Sequence, residues 1–105
     1  MLSYKLVVYV PTTHTDSVRE VIGKVGAGKI GNYTFCSFST KGMGRFKPEE
    51  GANPHIGNVG ELESVEEERI EVTVSEEILD SVIKAMKSAH PYEEVAYDIY
   101  KLESK

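Results

Sequence analysis

The sequence predicts an α+β domain in which two helices cover one face of an antiparallel sheet. Runs of β-branched and aromatic residues with alternating pattern occur near both ends of the chain and around residue 72, which is typical of strands. Two further segments carry apolar residues three and four positions apart, which is typical of amphipathic helices. The order is βα, ββ, αβ, with a hairpin extension between the second and third core strands, and it is the ferredoxin-like βαββαβ order. The 105 residues are expected to form a single domain, 1–105.

The first strand is predicted at residues 4–10, and its two faces are both apolar: Leu6, Val8 and Val10 on one, Val7 and Tyr9 on the other. Thr13 and Asp16 have the spacing of a capping box, which indicates a helix start. The helix that follows has an apolar stripe at i, i+3, i+4 and i+7: Val18, Val21, Ile22 and Val25. Gly26 or Gly28 is expected to end it in a left-handed conformation.

The middle of the chain predicts a strand at residues 33–38, a turn at 40–42 and a shorter returning strand at 43–47. Residues 48–60 contain two prolines and three glycines and are predicted to form a loop. A loop of that length in a small domain is usually functional or docks on something. Residues 61–68 include five glutamates, which favours a solvated hairpin edge that blocks edge-to-edge pairing.

The last third predicts a core strand at residues 70–74, a helix capped by Ser75, and a final strand at 95–102. His90 and Pro91 end the helix, because proline cannot continue it. The apolar stripe of this helix is Ile78, Leu79, Val82, Ile83 and Met86.

Two helices can cover only one face of such a sheet. The first and last strands are nevertheless predicted to be apolar on both faces. We therefore expect the uncovered face to pack against another subunit, so that the chain forms a homo-oligomer.

Composition excludes several classes of protein. Seventeen acidic and 12 basic residues give a net charge of −5, which argues against nucleic acid as the main partner. No apolar run is long enough to cross a membrane, and the N-terminus lacks the basic leader of a signal peptide. A single cysteine, Cys36, rules out an internal disulfide. Together these features predict a cytoplasmic location.

The glycines between positions 23 and 31 match two nucleotide-binding patterns superficially. Residues 26–31 fit the dinucleotide fingerprint, and residues 23–29 nearly fit a phosphate-binding loop. Both patterns require a strand before the glycines and a helix after them, so that the helix N-terminus faces the phosphates. Here a helix comes before and a strand after. We interpret these glycines as structural, and no cofactor is predicted.

The three histidines and the cysteine could be read as metal ligands. Their spacings fit no closed zinc pattern, and no metal site is assigned to this chain. A single transition-metal site between subunits remains an alternative. Otherwise His14 lies in the first turn of a helix and His55 in a loop, both solvated.

The segment from His90 to Glu93 allows two interpretations. It forms either a rigid turn with an anchoring tyrosine, or a small polar pocket of His90, Tyr92 and Glu93 that faces a neighbour.

Five segments together resemble a known domain. Residues 26–38, 42–48, 53–57, 68–71 and 90–98 are similar to the domain inserted in many proteins of the Nif-three-like family, often described as homologues of GTP cyclohydrolase I type 2. The His-Pro-Tyr-Glu turn also resembles that of CutA proteins, whose fold is shared by this insert and the PII signalling proteins. The resemblance implies a ferredoxin-like subunit, association as a trimer, and clefts between subunits.

The resemblance also implies where a ligand would bind. Its motif residues in the subunit cleft are Asn32, Tyr33, Cys36, His90, Tyr92 and Glu93. His90 and Glu93 would donate and accept hydrogen bonds, and Tyr33 and Tyr92 would stack on a small molecule or protein partner.

Three functions are weighed. In the family, metal-binding histidines and acids lie in flanking domains, so a non-enzymatic oligomerising module with a small-molecule or protein partner is favoured. The first alternative is a CutA-like protein that binds a divalent metal through Cys36 or His90. The second is an enzyme, either alone or as part of a metal-dependent hydrolase completed by another chain.

Overall fold

A computed structural model describes residues 2–105 as a four-stranded antiparallel sheet with two α-helices. The sheet order is β2-β3-β1-β4, which confirms the predicted ferredoxin-like class. None of the helices in this part of the chain has both the length and the apolar character needed to span a bilayer. The elements in chain order are β1 (Ser3–Pro11), α1 (Thr15–Val25), β2 (Phe38–Phe46), β3 (Glu63–Ser75), a 3-10 turn (Glu76–Ile78), α2 (Leu79–Ala89) and β4 (Tyr97–Leu102).

Both helices lie on one face of the sheet, as the two apolar stripes predict. The core consists of side chains at most 4% exposed, contributed by the inner strands and both helices. Burial of these groups supplies most of the stabilisation of the fold. They are Leu6, Val8, Val10, Val18, Ile22, Ala27, Ile70, Val72, Val74, Val82 and Met86.

The inner strand β1 brings the two ends of the chain together. Ser3 pairs with Ser75 of β3 on one side and with Leu102 of β4 on the other. The start of β1 therefore lies beside the end of β4.

The turn predicted at residues 40–42 and the two short strands on either side of it are wrong. Residues 38–46 form one strand that pairs with β3 from Phe38 opposite Glu71 to Phe46 opposite Glu63. Gly42, expected in a turn, lies inside this strand. Residues 34–37, expected in a strand, form an irregular exposed connection. Pairing with the long strand β3 outweighs the local turn preference of glycine.

The predicted glutamate edge holds only in part: residues 63–66 of β3 pair with β2 alone, but from Glu67 onward the strand also pairs with β1. This strand pairs with β2 over residues 63–71 and with β1 over residues 67–75, so five of its 13 residues lie between the two strands. Glu67 is only 8% exposed. Glu68, on the helix-covered face, forms a 3.2 Å ion pair with Arg19 of α1. These carboxylates therefore have specific partners inside the fold.

The residues that end the two helices at their C-termini are the predicted ones, whereas the predicted N-terminal caps are not formed. Gly26 ends α1 with φ +116°, and His90 ends α2. The capping box is wrong, because His14 is the N-cap residue of α1 and makes no side-chain cap. Ser75 makes no side-chain cap either and precedes the 3-10 turn. The last strand begins at Tyr97, two residues later than predicted.

The uncovered face is more polar than the sequence pattern suggests. Val7 lies on this face yet is 0% exposed. Its neighbours are Glu71, directly opposite, and the basic side chains of Lys5 and Arg69, which form ion pairs with Glu71 at 4.0 and 3.5 Å. The enclosure of Val7 within one chain therefore does not itself require a second subunit.

Candidate functional site

A cavity of about 510 Å³ opens on the uncovered face, at the end of the sheet where β1 ends and β3 begins. It lies between the end of β2, the loop of residues 47–56 and the turn of residues 92–96. The residues that define its chemistry are Gly44, Phe46, Pro54, His55, Glu67 and Tyr92. We call it the Tyr92 cavity.

The long loop forms one wall of the Tyr92 cavity and is tied down at two points. Gly60 N–H donates to the carbonyl of the buried Pro48 at 2.7 Å. Asn53 N–H donates to Glu93 Oε2 at 2.7 Å, which joins the loop to the turn on the far side of the cavity. The first hydrogen bond closes the connection between β2 and β3 on itself and the second fixes it to the turn, and neither depends on a ligand.

Glu67 supplies the buried charge of the cavity. Its Oε2 accepts a 3.0 Å hydrogen bond from the Tyr92 hydroxyl. Its Oε1 lies over Gly44, where a Cβ would clash with it. Glycine at position 44 therefore makes the space that the Glu67 carboxylate occupies.

His90 holds the turn behind the cavity. Its Nε2 lies 2.7 Å from the Tyr9 carbonyl, and Tyr92 N–H donates to its Nδ1 at 3.1 Å. Because a carbonyl can only accept, Nε2 carries the proton and the ring is neutral. Burial lowers the pKa of His90, against the opposing effects of the Tyr9 carbonyl and Glu67. Both ring nitrogens are thus engaged within the chain.

Tyr92 connects the components of the site. Its ring lies 5.0 Å from His90 and 5.9 Å from Phe46, measured between centroids, and 6.3 Å from His55. Burial and the adjacent Glu67 raise the pKa of Tyr92 well above its usual value. The hydroxyl therefore stays protonated and donates to Glu67 throughout the physiological pH range.

The histidines come closer together than their sequence spacing suggests. The half-buried His14 and the exposed His55 meet edge to face at 5.8 Å. Within residues 2–105, no three His, Cys, Asp or Glu side chains are arranged to hold a metal ion.

The six positions suggested by the resemblance fall into two groups within one chain. Tyr92 and Glu93 line the cavity, and His90 lies directly behind them. Asn32, Tyr33 and Cys36 belong to a loop attached to the opposite end of β3. There Gly28 N–H donates to Thr73 O at 2.8 Å, and Cys36 N–H donates to Gly28 O at 2.9 Å. Thr73 is six residues, or about 20 Å, along the strand from Glu67.

The cavity residues that sequence reasoning missed include Gly44, Phe46, His55 and Glu67. A signal for Gly44 and Glu67 was present in the sequence. Gly42 and Gly44 alternate along one strand face, and a pair of glycines there leaves room for large side chains from the neighbouring strand.

Changing Tyr92 to phenylalanine is expected to lower the free energy of unfolding by about 1–2 kcal/mol, because the Glu67 carboxylate loses a hydrogen bond in a half-enclosed site. Urea denaturation followed by circular dichroism measures this. Tyr33→Phe is the matched control, since the Tyr33 side chain is 75% exposed, and it should change stability by less than about 0.5 kcal/mol. Equal effects of the two changes would contradict the role given to the Tyr92 hydroxyl.

The fold is shared with solved structures of CutA and GlnK. CutA of Archaeoglobus fulgidus, described as a periplasmic divalent cation tolerance protein, superposes with a TM-score of 0.68 at 16% identity, covering 98% of this chain and 86% of that one. The GlnK–ATP complex of Bacillus subtilis gives a TM-score of 0.65 at 14% identity over 96% and 82% of the two chains. The chain therefore has the CutA/PII-like, ferredoxin-like fold.

Closer relatives identify which domain it is. A GTP cyclohydrolase 1 type 2 homolog of Halalkalibacterium halodurans is 61% identical over 99 residues, 94% of this chain and 27% of the relative. A Bacillus cereus protein related to NIF3 has a TM-score of 0.85 at 50% identity, over 98% of this chain and 26% of that one. No family model matches the sequence.

These relationships confirm the resemblance read from the sequence. The chain is a homologue of one segment of the Nif-three-like proteins, and it spans about a quarter of their length.

Proposed function

We propose that this chain is a non-enzymatic binding module that assembles into a homo-oligomer and holds a small molecule in the Tyr92 cavity. The observation that carries the proposal is the buried carboxylate of Glu67, whose Oε2 is held by Tyr92 and whose Oε1 lies over Gly44, another residue of the cavity lining. A cavity of about 510 Å³ lies within the size range of small-molecule sites.

The states of the polar groups favour binding over catalysis. His90 uses one ring nitrogen as a donor and the other as an acceptor inside the chain, so it is not free to move protons to a substrate. Tyr92 is held protonated by its raised pKa and serves as a donor to Glu67. Both groups act as fixed supports.

Self-association is supported by exposed apolar groups on the uncovered face. Phe38 on one edge strand is 67% exposed, and Tyr100 on the other is 51% exposed. We propose a cytoplasmic homo-oligomer with these side chains in its interface, and a trimer as the first expectation from the resemblance to CutA.

Solution mass tests the oligomer. We expect light scattering behind a sizing column to give about three times the 11.7 kDa of one chain at micromolar concentration. Phe38→Glu should lower the mass toward that of one chain, because an isolated charge is costly to bury in an interface. Lys84→Glu, on the exposed side of α2, should leave it unchanged. A monomeric unmodified protein would contradict the oligomer proposal.

Binding in the cavity is tested by a fragment screen with thermal shift, because a ligand specific for the folded state must stabilise it. When a fragment that binds is added, the backbone amide chemical shifts of the protein should change at Gly44, Ala52 and Tyr92. The proposal of a small-molecule module fails if no fragment perturbs these positions.

Two alternatives retain support from specific observations. His14 and His55 lie side by side, which favours a divalent-metal site completed by a further ligand from another subunit. About one tightly held ion per chain in untagged protein would support that function. The name of the curated relatives favours a role within a larger GTP cyclohydrolase-like protein, of which this chain would supply one segment.

A further inference from the structure

The Tyr92 cavity has an excess of negative charge. Lys47 and Glu49 neutralise each other in a 3.6 Å ion pair. Glu93 accepts a hydrogen bond from the loop backbone, and Glu94 stands beside it. The charged residues of the lining are four carboxylates and two basic side chains: Glu49, Glu67, Glu93, Glu94, Arg45 and Lys47.

Glu67 differs from the other three carboxylates in its burial. It is 8% exposed, whereas Glu49, Glu93 and Glu94 are exposed side chains. Tyr92 satisfies Oε2, but Oε1 has no hydrogen-bond donor within residues 2–105. A carboxylate oxygen in a half-enclosed site is a strong acceptor for a charged N–H donor.

Aromatic rings stand next to this carboxylate. Phe46 and Tyr92 meet at 62° with their centroids 5.9 Å apart, and both line the cavity. Aromatic faces attract organic cations and also provide apolar contact for their carbon framework.

We propose that the ligand of the Tyr92 cavity is a small organic cation bearing N–H groups, of the amine, amidine or guanidine class. Its N–H groups bind Glu67 Oε1, and its apolar part packs on Phe46 and Tyr92. This proposal rests on the small-molecule function proposed above. The same chemistry is available from a lysine or arginine side chain of another protein chain, and the cavity volume favours a free molecule.

Three planar compounds of matched shape test the charge preference. Benzamidine is a cation with N–H donors, benzamide is neutral, and benzoate is an anion. We expect titration calorimetry at pH 7.5 to detect benzamidine binding, at least about tenfold tighter than benzamide and with no measurable binding of benzoate.

Variants of neighbouring glutamates locate the effect. Glu67→Gln keeps an acceptor for Tyr92 and removes the charge, and should weaken benzamidine binding by about tenfold or more. Glu66→Gln is the matched control, because Glu66 is exposed on the opposite face of the same strand and should leave binding unchanged. Gly44→Ala displaces the Glu67 carboxylate without changing the charge, and it should weaken benzamidine binding as Glu67→Gln does. It replaces Glu67→Gln in the test if the Glu67→Gln protein does not fold.

The possible outcomes separate this proposal from the broader one. Equal binding of benzamide or benzoate, unchanged binding in both Glu67→Gln and Gly44→Ala, or no binding of benzamidine would overturn the cation assignment. The small-molecule function itself fails only if the wider fragment screen also leaves the cavity residues unperturbed. If benzamidine instead dissociates an oligomer that Glu67→Gln also dissociates, the cation class is supported and its source is a side chain of another copy.

Discussion

Replacing Gly28 with alanine is expected to lower the free energy of unfolding by roughly 3–5 kcal/mol. Gly28 has φ +81°, a left-handed conformation that costs alanine about 1–2 kcal/mol. A Cβ there would also clash with the backbone carbonyl of Cys36, which cannot rotate away as a side chain can. The substitution would break the two hydrogen bonds that fasten the connection between α1 and β2 to Thr73.

Gly31 provides the matched control for this prediction. It also has a positive φ, +56°, but nothing lies within 4 Å of a Cβ placed there. Gly31→Ala should therefore cost only the conformational strain, about 1–2 kcal/mol. Chemical denaturation of both variants gives the comparison. Equal losses would mean that the contact with Cys36 contributes nothing to the cost.

Replacing His90 with alanine is expected to lower the free energy of unfolding by about 3 kcal/mol. The change leaves the Tyr9 carbonyl and the Tyr92 N–H without their partners in a buried position, and it leaves a cavity. His55→Ala, at an exposed ring, should cost less than about 0.5 kcal/mol. A small effect at both positions would contradict the anchoring role of His90.

His90 also predicts a pH dependence of stability. Its pKa in the folded state is lower than the ordinary value of 6.5, so the unfolded chain binds the proton more readily. Stability is therefore greatest above pH 6.5 and is lost as the pH falls through the folded-state pKa. Burial is the main cause of the lowered pKa, the Tyr9 carbonyl and Glu67 oppose it, and His14 and His55 add to it.

The variant His90→Gln tests this dependence. Gln can donate to Tyr9 and accept from Tyr92 without titrating. Denaturation between pH 7.5 and 5 should show a smaller loss of stability for this variant than for the unmodified protein. Parallel curves would assign the acid sensitivity to other groups.

The sequence predicts the helices and inner strands well because their patterns depend on one local property, the periodicity of apolar residues. The stripes of α1 and α2 and the alternation in β1 all lead to side chains that the structure buries. Residues 33–42 show where this reasoning fails. Aromatic alternation predicts a strand there, and Thr40 to Gly42 predicts a turn, but pairing with distant β3 decides the outcome.

The candidate site was predictable in part. The turn from His90 to Glu93 was visible because proline fixes the end of the helix, and in the structure Tyr92 and Glu93 line the Tyr92 cavity with His90 behind them. Glu67 was interpreted as solvated, because five glutamates in one short segment are typical of a surface. Its burial depends on Gly44 and Tyr92, which are 23 and 25 residues away, so only the folded arrangement reveals it.

The pairing of Ser3 with Leu102 has a mechanical consequence. Both ends of the chain leave from one corner of the sheet, on neighbouring strands about 5 Å apart. If this domain were spliced into a surface turn of a larger protein, the host backbone would be interrupted by a gap that one or two residues could bridge. A pulling force transmitted through that host would separate β4 from β1 one hydrogen-bonded pair at a time. This domain would therefore unfold at a lower force than a domain that is pulled along the direction of its strands.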